Sequence, residues 1–285
     1  MVTRKKSAWA ALPAGVAFDF SGDALKKAWK GLHAGDGEPW PDKPRAAALL
    51  KAAGKAAPAL DANALAEALQ EAWRAFHEGR FETAWNSGRA LGAVGASVAV
   101  KAIGIHAAHL VDDTAERLAR FEAAGALAET AVAALPGEAN SHYRRAFALG
   151  RYSQDISILK ALKDGLAGKV RDSLERSLTL APMHAEAHLA MAVYHAEIVA
   201  KVGGLVAGLT YGAKAAEAEK HLAAALKLTP EAPVVQLERG HVLLLLHGAK
   251  GEDAAAAAFE NAAKRKARDA MEWLDARHAA GMIEE

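Results

Sequence analysis

Two stretches decide the fold: Leu174-Glu-Arg-Ser-Leu-Thr-Leu-Ala-Pro182 and Leu222-Ala-Ala-Ala-Leu-Lys-Leu-Thr-Pro230. Each carries leucines at helical spacing and stops at a proline. Proline lacks the N–H that a helix needs and clashes with the preceding turn, so it marks the end of a helix. The chain restarts alike after these stops, with Glu138-Ala-Asn-Ser-His142 following Pro136 and His184-Ala-Glu-Ala-His188 following Pro182. The prolines at 136, 182 and 230 are 46 and 48 residues apart. Self-similarity at a fixed period is the mark of a stacked array.

Working outward, the clearest unit reads His188-x2-Met191-Ala192-x2-His195, then Ala218-x3-Leu222-x2-Ala225 and Pro230. The next has Gln236, Gly240 and Leu243, then Ala255-x3-Phe259-x2-Ala262. The preceding one has His142, Ala146 and Leu149, then Val170-x3-Leu174-x2-Ser177. Two weaker units lie upstream. One has Val100, Ile103, Gly104 and Ala107, then Ala124, Ala128 and Ala131; the first has Ala72, Ala75, the turn Gly79-Arg80-Phe81, and Ala84. Small residues suit the crossing of two helices, and large ones fill the gap between successive pairs.

This pattern resembles the tetratricopeptide repeat (TPR), whose unit is about 34 residues. The resemblance covers roughly residues 60–280. It implies an all-α, right-handed α-solenoid of about five helix pairs, with long insertions inside the repeats and a C-terminal capping helix through Trp273. The insertions include Lys160 to Gly165, and Lys201 to Gly212 with its Gly203-Gly204 pair. Long interrupted repeats are similar to those of the T-component of TRAP transporters and of the regulator-of-microtubule-dynamics family. The chain departs from the former in lacking a lipid-carrying cysteine, since it has no cysteine at all. TPR arrays have no catalytic residues as a class, so a non-enzymatic binding or scaffold role is expected.

Composition agrees with helices. Hydrophobic residues make up 52% of the 285 residues, many of them alanine, and aromatics only 6%. Alanine loses no side-chain entropy in a helix. Asp61 and Asp113 are placed to cap helices, Gly79 to end one, and Asp23 to cap a short helix from Ala24 to His33. Residues 1–43 read as an irregular lead-in and 44–285 as the repeat domain. Arg4, Lys5 and Lys6 precede an apolar run, but Pro13, Gly15 and Asp19 interrupt it and no small-x-small cleavage site follows. The expectation is a cytoplasmic protein, with the periplasm as the alternative. No segment reads as a membrane span. The formal charge is +1, which gives no electrostatic reason to bind nucleic acid. Lys264, Arg265, Lys266 and Arg268 read as a solvated helix face.

If the register holds, the concave face is made by the first helix of each pair. The candidate binding residues are Leu69, Trp73, Phe76 and His77; Lys101, Ile105 and His109; Tyr143, Phe147 and Arg151; Leu189, Val193 and Glu197; and Val234, Leu237, His241 and Leu244. Clamps for peptide tails use lysine, arginine and asparagine, whereas this set is mostly apolar and aromatic. The expected partner is therefore another protein's apolar segment, a segment of the same chain, or a small apolar ligand, with no cofactor or metal. In a competing reading the lead-in folds back and covers the groove with Trp9, Phe18, Phe20, Trp29 and Trp40. His184, His188 and His195 share helical spacing, yet two of them occupy packing positions and read as structural. The Gly203, Gly204, Gly208 and Gly212 series has no preceding strand and no Gly-Lys-Ser/Thr, so it reads as a kink or turn and not as a phosphate loop.

Overall fold

The computed structural model describes residues 9–284, and every regular element among them is helical. Arg4, Lys5 and Lys6 lie outside the described residues. The helices are α1 (Ala24–Leu32), α2 (Lys43–Ala53), α3 (Ala62–His77), α4 (Phe81–Ala90), α5 (Ala96–Leu110), α6 (Thr114–Ala134), α7 (Ala139–Gln154), α8 (Ile158–Lys163), α9 (Leu166–Leu180), α10 (Ala185–Val202), α11 (Gly204–Val206), α12 (Ala215–Leu228), α13 (Pro233–His247), α14 (Glu252–Ala263) and α15 (Ala270–Glu284).

Local chemistry sets most of the boundaries. The Asp61 carboxylate accepts from the backbone N–H groups of Asn63 and Ala64, and Asp113 from that of Glu116, so both helix starts have their free donors satisfied. Gly79 turns the chain after α3 with φ +80°, where a Cβ is disfavoured. Helices α6, α9 and α12 each end two residues before Pro136, Pro182 and Pro230. Asp23 does not cap α1: its backbone is already helical and its side chain makes no capping bond. The basic cluster 264–268 is not a helix face either. It forms the turn from α14 to α15, where Arg265 pairs with Glu231 and Arg268 with Glu272.

Consecutive helices pack as neighbours: α3 on α4, α5 on α6, α7 on α9, α10 on α12, and α13 on α14. The first helices of these pairs also touch in chain order, α3 to α5 to α7 to α10 to α13. Alanines such as Ala192, Ala196, Ala218 and Ala225 are fully buried at the contacts. Gly240 admits Phe259 so closely that a Cβ there would overlap the ring. The small position thus has the steric cause expected of it. The inserted segments are short: α8 follows α7, and α10 runs out at Gly203, which has φ +78°.

One expectation is corrected. Gly92–Leu110 is, by length and composition, apolar enough to cross a membrane, yet 78% of it is buried inside the protein. It contains α5, which packs against α3, α4, α6 and α7. A helix enclosed on several sides is apolar all round for that reason.

The last helix does more than cap. It packs on α13 and α14, and it also reaches α3 and α5. The lead-in lies against the same α3 and α5 region. Trp29 and Phe20 are buried there, with Trp9, Phe18 and Trp40 packed around them.

Candidate functional site

The lead-in covers residues of α3 and α5. Trp29 meets Trp73 edge-on at 5.8 Å, His33 meets Trp73 at 4.6 Å, and Phe20 meets His77 at 5.7 Å. Trp73, Phe76 and His77 are buried beneath it, and Leu69 is buried against α2. These four expected groove residues therefore face the protein's own chain. Trp73 and Phe76 are core, not anchors open to a partner.

Past Trp29 the chain lays the loop Gly35–Pro41 across three successive helices. Asp36 is almost wholly buried and accepts from His33 Nδ1 (2.8 Å), Lys101 Nζ on α5 (2.8 Å) and Arg144 Nη2 on α7 (2.6 Å). Glu38 Oε2 accepts from the Ser97 hydroxyl (2.6 Å) and from Asn140 Nδ2 (2.8 Å). The Gly35 carbonyl accepts from the Glu186 backbone N–H at the start of α10. Glu186 pairs with Lys101 at 3.0 Å. His184 donates from Nε2 to Asn140 Oδ1 and accepts the Ala187 N–H at Nδ1, which fixes it as a neutral ring.

The electrostatics follow from burial opposed by pairing. Burial alone pushes the Asp36 carboxyl up, but Lys101, His33 and Arg144 outweigh it and hold the group well below the ordinary range. Burial would strip the proton from Lys101, and Asp36 and Glu186 reverse that. Glu38 is raised, by burial first and then by the neighbouring Asp36. Burial brings His33 and His184 down to about 4.

Beyond this ionic cluster a cavity of about 410 Å³ remains. Lys101, Ile105, His109, Tyr143, Phe147, Arg151, Leu189, Val193 and Glu197 all line it, and so does Val234. Leu237 and Leu244 instead pack in the core cluster of α13, α14 and α15. His241 is turned toward Phe259 and His278, and it bonds Glu238. Both ends of the expected strip are thus covered, by the lead-in at one end and by α15 at the other.

The cavity wall is mostly apolar, with Ile105, Phe147, Leu189, Val193, Ile198 and Val202 prominent and Met271 contributed by α15. Its polar groups fall in two places. Lys101, Tyr143, Arg144 and Glu186 adjoin the buried loop, and burial together with Glu186 raises the Tyr143 hydroxyl well above its usual value. The second place holds His109, Arg151, Glu238 and Asp275. Arg151 donates to Glu238 at 3.0 Å. Burial opposes ionisation of Glu238, but His241 and Arg151 bring it down to about 2. Val202 and Tyr211 also line the cavity, and in the segment between them Leu205, Val206 and Leu209 are exposed.

Sequence reasoning missed Asp36, Glu38, Ser97, Asn140, Arg144 and Glu186. The available signal was Lys101 with Ser97 one turn before it, and Asn140 with Arg144 at the same i, i+4 spacing on α7. Of the histidine series, His184 joins the ionic cluster, whereas His188 bonds His221 at 2.8 Å. Among the described residues no group of three or more His, Cys, Asp or Glu side chains is arranged to hold a metal ion. Compared with known proteins, the chain matches no family model and no curated protein.

Proposed function

We propose that the chain is a non-catalytic, TPR-like solenoid that carries a small, largely apolar ligand. In this reading the five helix pairs curve around a groove, and the lead-in and α15 close it at both ends. What remains is a chamber in place of an open trough for another protein's helix. The observation that carries this is the 410 Å³ cavity, walled by α5, α7, α9, α10, α13 and α15. Sites for small molecules fall in the range of about 300–1,000 Å³ and are lined mainly by apolar side chains with a few polar groups. Leu205, Val206 and Leu209, exposed in the segment between the lining residues Val202 and Tyr211, fit an access route for such a ligand.

Native mass spectrometry of gently purified protein tests the reading. A retained small-molecule adduct is expected, with loss of that adduct in Val193→Trp, which fills the chamber. A second reading, a scaffold that holds a partner's apolar segment, is favoured by the same exposed leucines. Co-purification of a polypeptide without any small adduct would decide for it.

A further inference from the structure

The inference rests on the cavity reading above and concerns what the chamber admits at a ligand's polar end. Each lysine and arginine on its wall is engaged by a carboxylate. Lys101 and Arg144 meet Asp36 and Glu186, Arg151 meets Glu238, and Lys201 meets Glu197. Asp275 stands against His109 at 3.3 Å. The wall is rich in ionic groups, yet their charges are answered within the protein.

Arg151 is the cation that matters most to a ligand. Its side chain is 33% exposed, whereas Lys101 and Arg144 are sealed beneath the loop. It reaches from α7 to α13, two helices that both pack on α10, and donates to Glu238 at 3.0 Å. Glu238 is buried and accepts from His241 as well. A guanidinium facing an apolar chamber is suited to bind a carboxylate. Here that place is taken. An anionic head must compete with Glu238, and drawing Arg151 away would strand a buried carboxylate. An ammonium head meets the mirror problem at Glu186, Glu197 and Glu238, each held by its own cation. A hydroxyl takes nothing from these pairs. A carboxylate has about four acceptor sites, so Glu186 and Glu197 on the wall can accept a further O–H without releasing their partners.

We infer that the chamber takes an uncharged amphiphile of the long-chain alcohol class, and that Glu238 sets this choice by neutralising Arg151. The hydrocarbon body lies along Ile105, Phe147, Leu189 and Val193.

The test uses 1-decanol, decanoate and decylamine as competitors of an apolar fluorescent dye, N-phenyl-1-naphthylamine, on the full chain at neutral pH. Decanol is expected to displace the dye at a concentration about tenfold below that of decanoate or decylamine. An apolar wall alone disfavours any charge, so the second arm is Glu238→Gln. With Arg151 unpaired, decanoate should act at about tenfold lower concentration than on the unaltered protein, and decanol should be unchanged. Adding Arg151→Gln should abolish that gain. Decanoate or decylamine matching decanol on the unaltered protein would overturn the inference, and that comparison needs no variant to fold. Decanoate left as weak by Glu238→Gln, or a gain that survives Arg151→Gln, would overturn the role of Glu238. In each of these cases dye and decanol still bind, and the cavity reading stands. If neither the dye nor any competitor binds, the cavity reading falls and takes the inference with it.

Discussion

His77 Nδ1 stands 2.6 Å from Asp269 Oδ2 and joins the last turn of α3 to the start of α15, 192 positions later in the chain. Both side chains are buried. Asp269 uses its other oxygen to accept the Glu272 N–H, so one carboxylate caps α15 and holds it to α3. The far side of the His77 ring continues the chain, with Nε2 3.2 Å from His33 Nε2. His33 is a neutral ring that donates from Nδ1 to Asp36, which leaves its Nε2 as an acceptor. His77 is thus held on both sides, by the Asp269 carboxylate at Nδ1 and by the His33 ring at Nε2.

Asp269→Ala removes the cap and leaves the buried His77 Nδ1 without its partner. A loss of about 2–4 kcal/mol is expected in urea unfolding. Asp269→Asn retains a capping oxygen and should fall between the alanine variant and the parent. An alanine variant as stable as the parent would mean that neither the cap nor the His77 contact contributes to stability.

Acid should destabilise the protein early. The folded-state values of His33 and His184 lie at about 4, held down by burial, against an ordinary 6.5. Below about pH 6.5 the unfolded chain takes up protons that the folded rings refuse, so stability falls as pH drops through that window. The slope is about 1.4 kcal/mol per pH unit for each ring. Buried His106 adds in the same direction. Nearer pH 2 the depressed carboxyl of Glu238 adds its own loss, because its stabilisation exists only while it is ionised. Urea midpoints from about pH 7 down to about pH 5 should decline steadily. His184→Gln keeps a side-chain donor for Asn140 and should flatten the decline by one ring's share. A constant midpoint over that range would contradict the assignment.

The ionic loop gives a sharper test. Asp36→Asn leaves Lys101 and Arg144 sharing Glu186 alone, although both cations are buried. A cost of about 3–5 kcal/mol is expected, as for other broken buried pairs. Hydrogen exchange should rise in residues 34–41 and in α1, which the loop anchors. Pairing Asp36→Asn with Lys101→Met should cost less than the sum of the two single changes, since the second removes a charge that the first left stranded. Strict additivity would show that the two side chains do not act as a pair.

Why this cluster was hidden in the sequence, while the helices were not, is a matter of range. Asp61, Asp113 and Gly79 act on backbone groups within a few residues, and Pro136, Pro182 and Pro230 act on the turn before them, so each is legible where it stands. The helical pattern also reaches the faces, and placing Ile105, Phe147, Leu189 and Val193 together needs only the period. What covers a face is a different question. Nothing local to Trp73 tells that Trp29 will sit on it, and nothing local to Asp36 tells that Lys101 and Arg144 will meet there, 65 and 108 positions away. The contact of Asp275 with His109 was equally silent, because it depends on α15 folding back toward α5. Asp23 shows the reverse failure. A favourable capping residue stands at the right place, but the backbone there is already helical and the carboxylate makes no capping bond.

One close approach between helices also touches the cavity. A Cβ placed on Gly104 would overlap Phe147, whose ring packs over α5 and lines the chamber. Gly104→Ala gains about 1 kcal/mol in helix propensity. It must also push an aromatic ring aside, and overpacking costs about 1–3 kcal/mol. The ring's open side is the chamber, so the displacement narrows the space for a ligand. Gly104→Ala is expected to lower both thermal stability and the affinity for the apolar fluorescent dye, N-phenyl-1-naphthylamine, that probes the cavity. Combining it with Phe147→Leu should restore stability, because the branched side chain leaves room for the new methyl group. If Gly104→Ala alone were more stable than the parent and bound the dye as well, Phe147 would be yielding freely and would not be the wall that it forms in this structure.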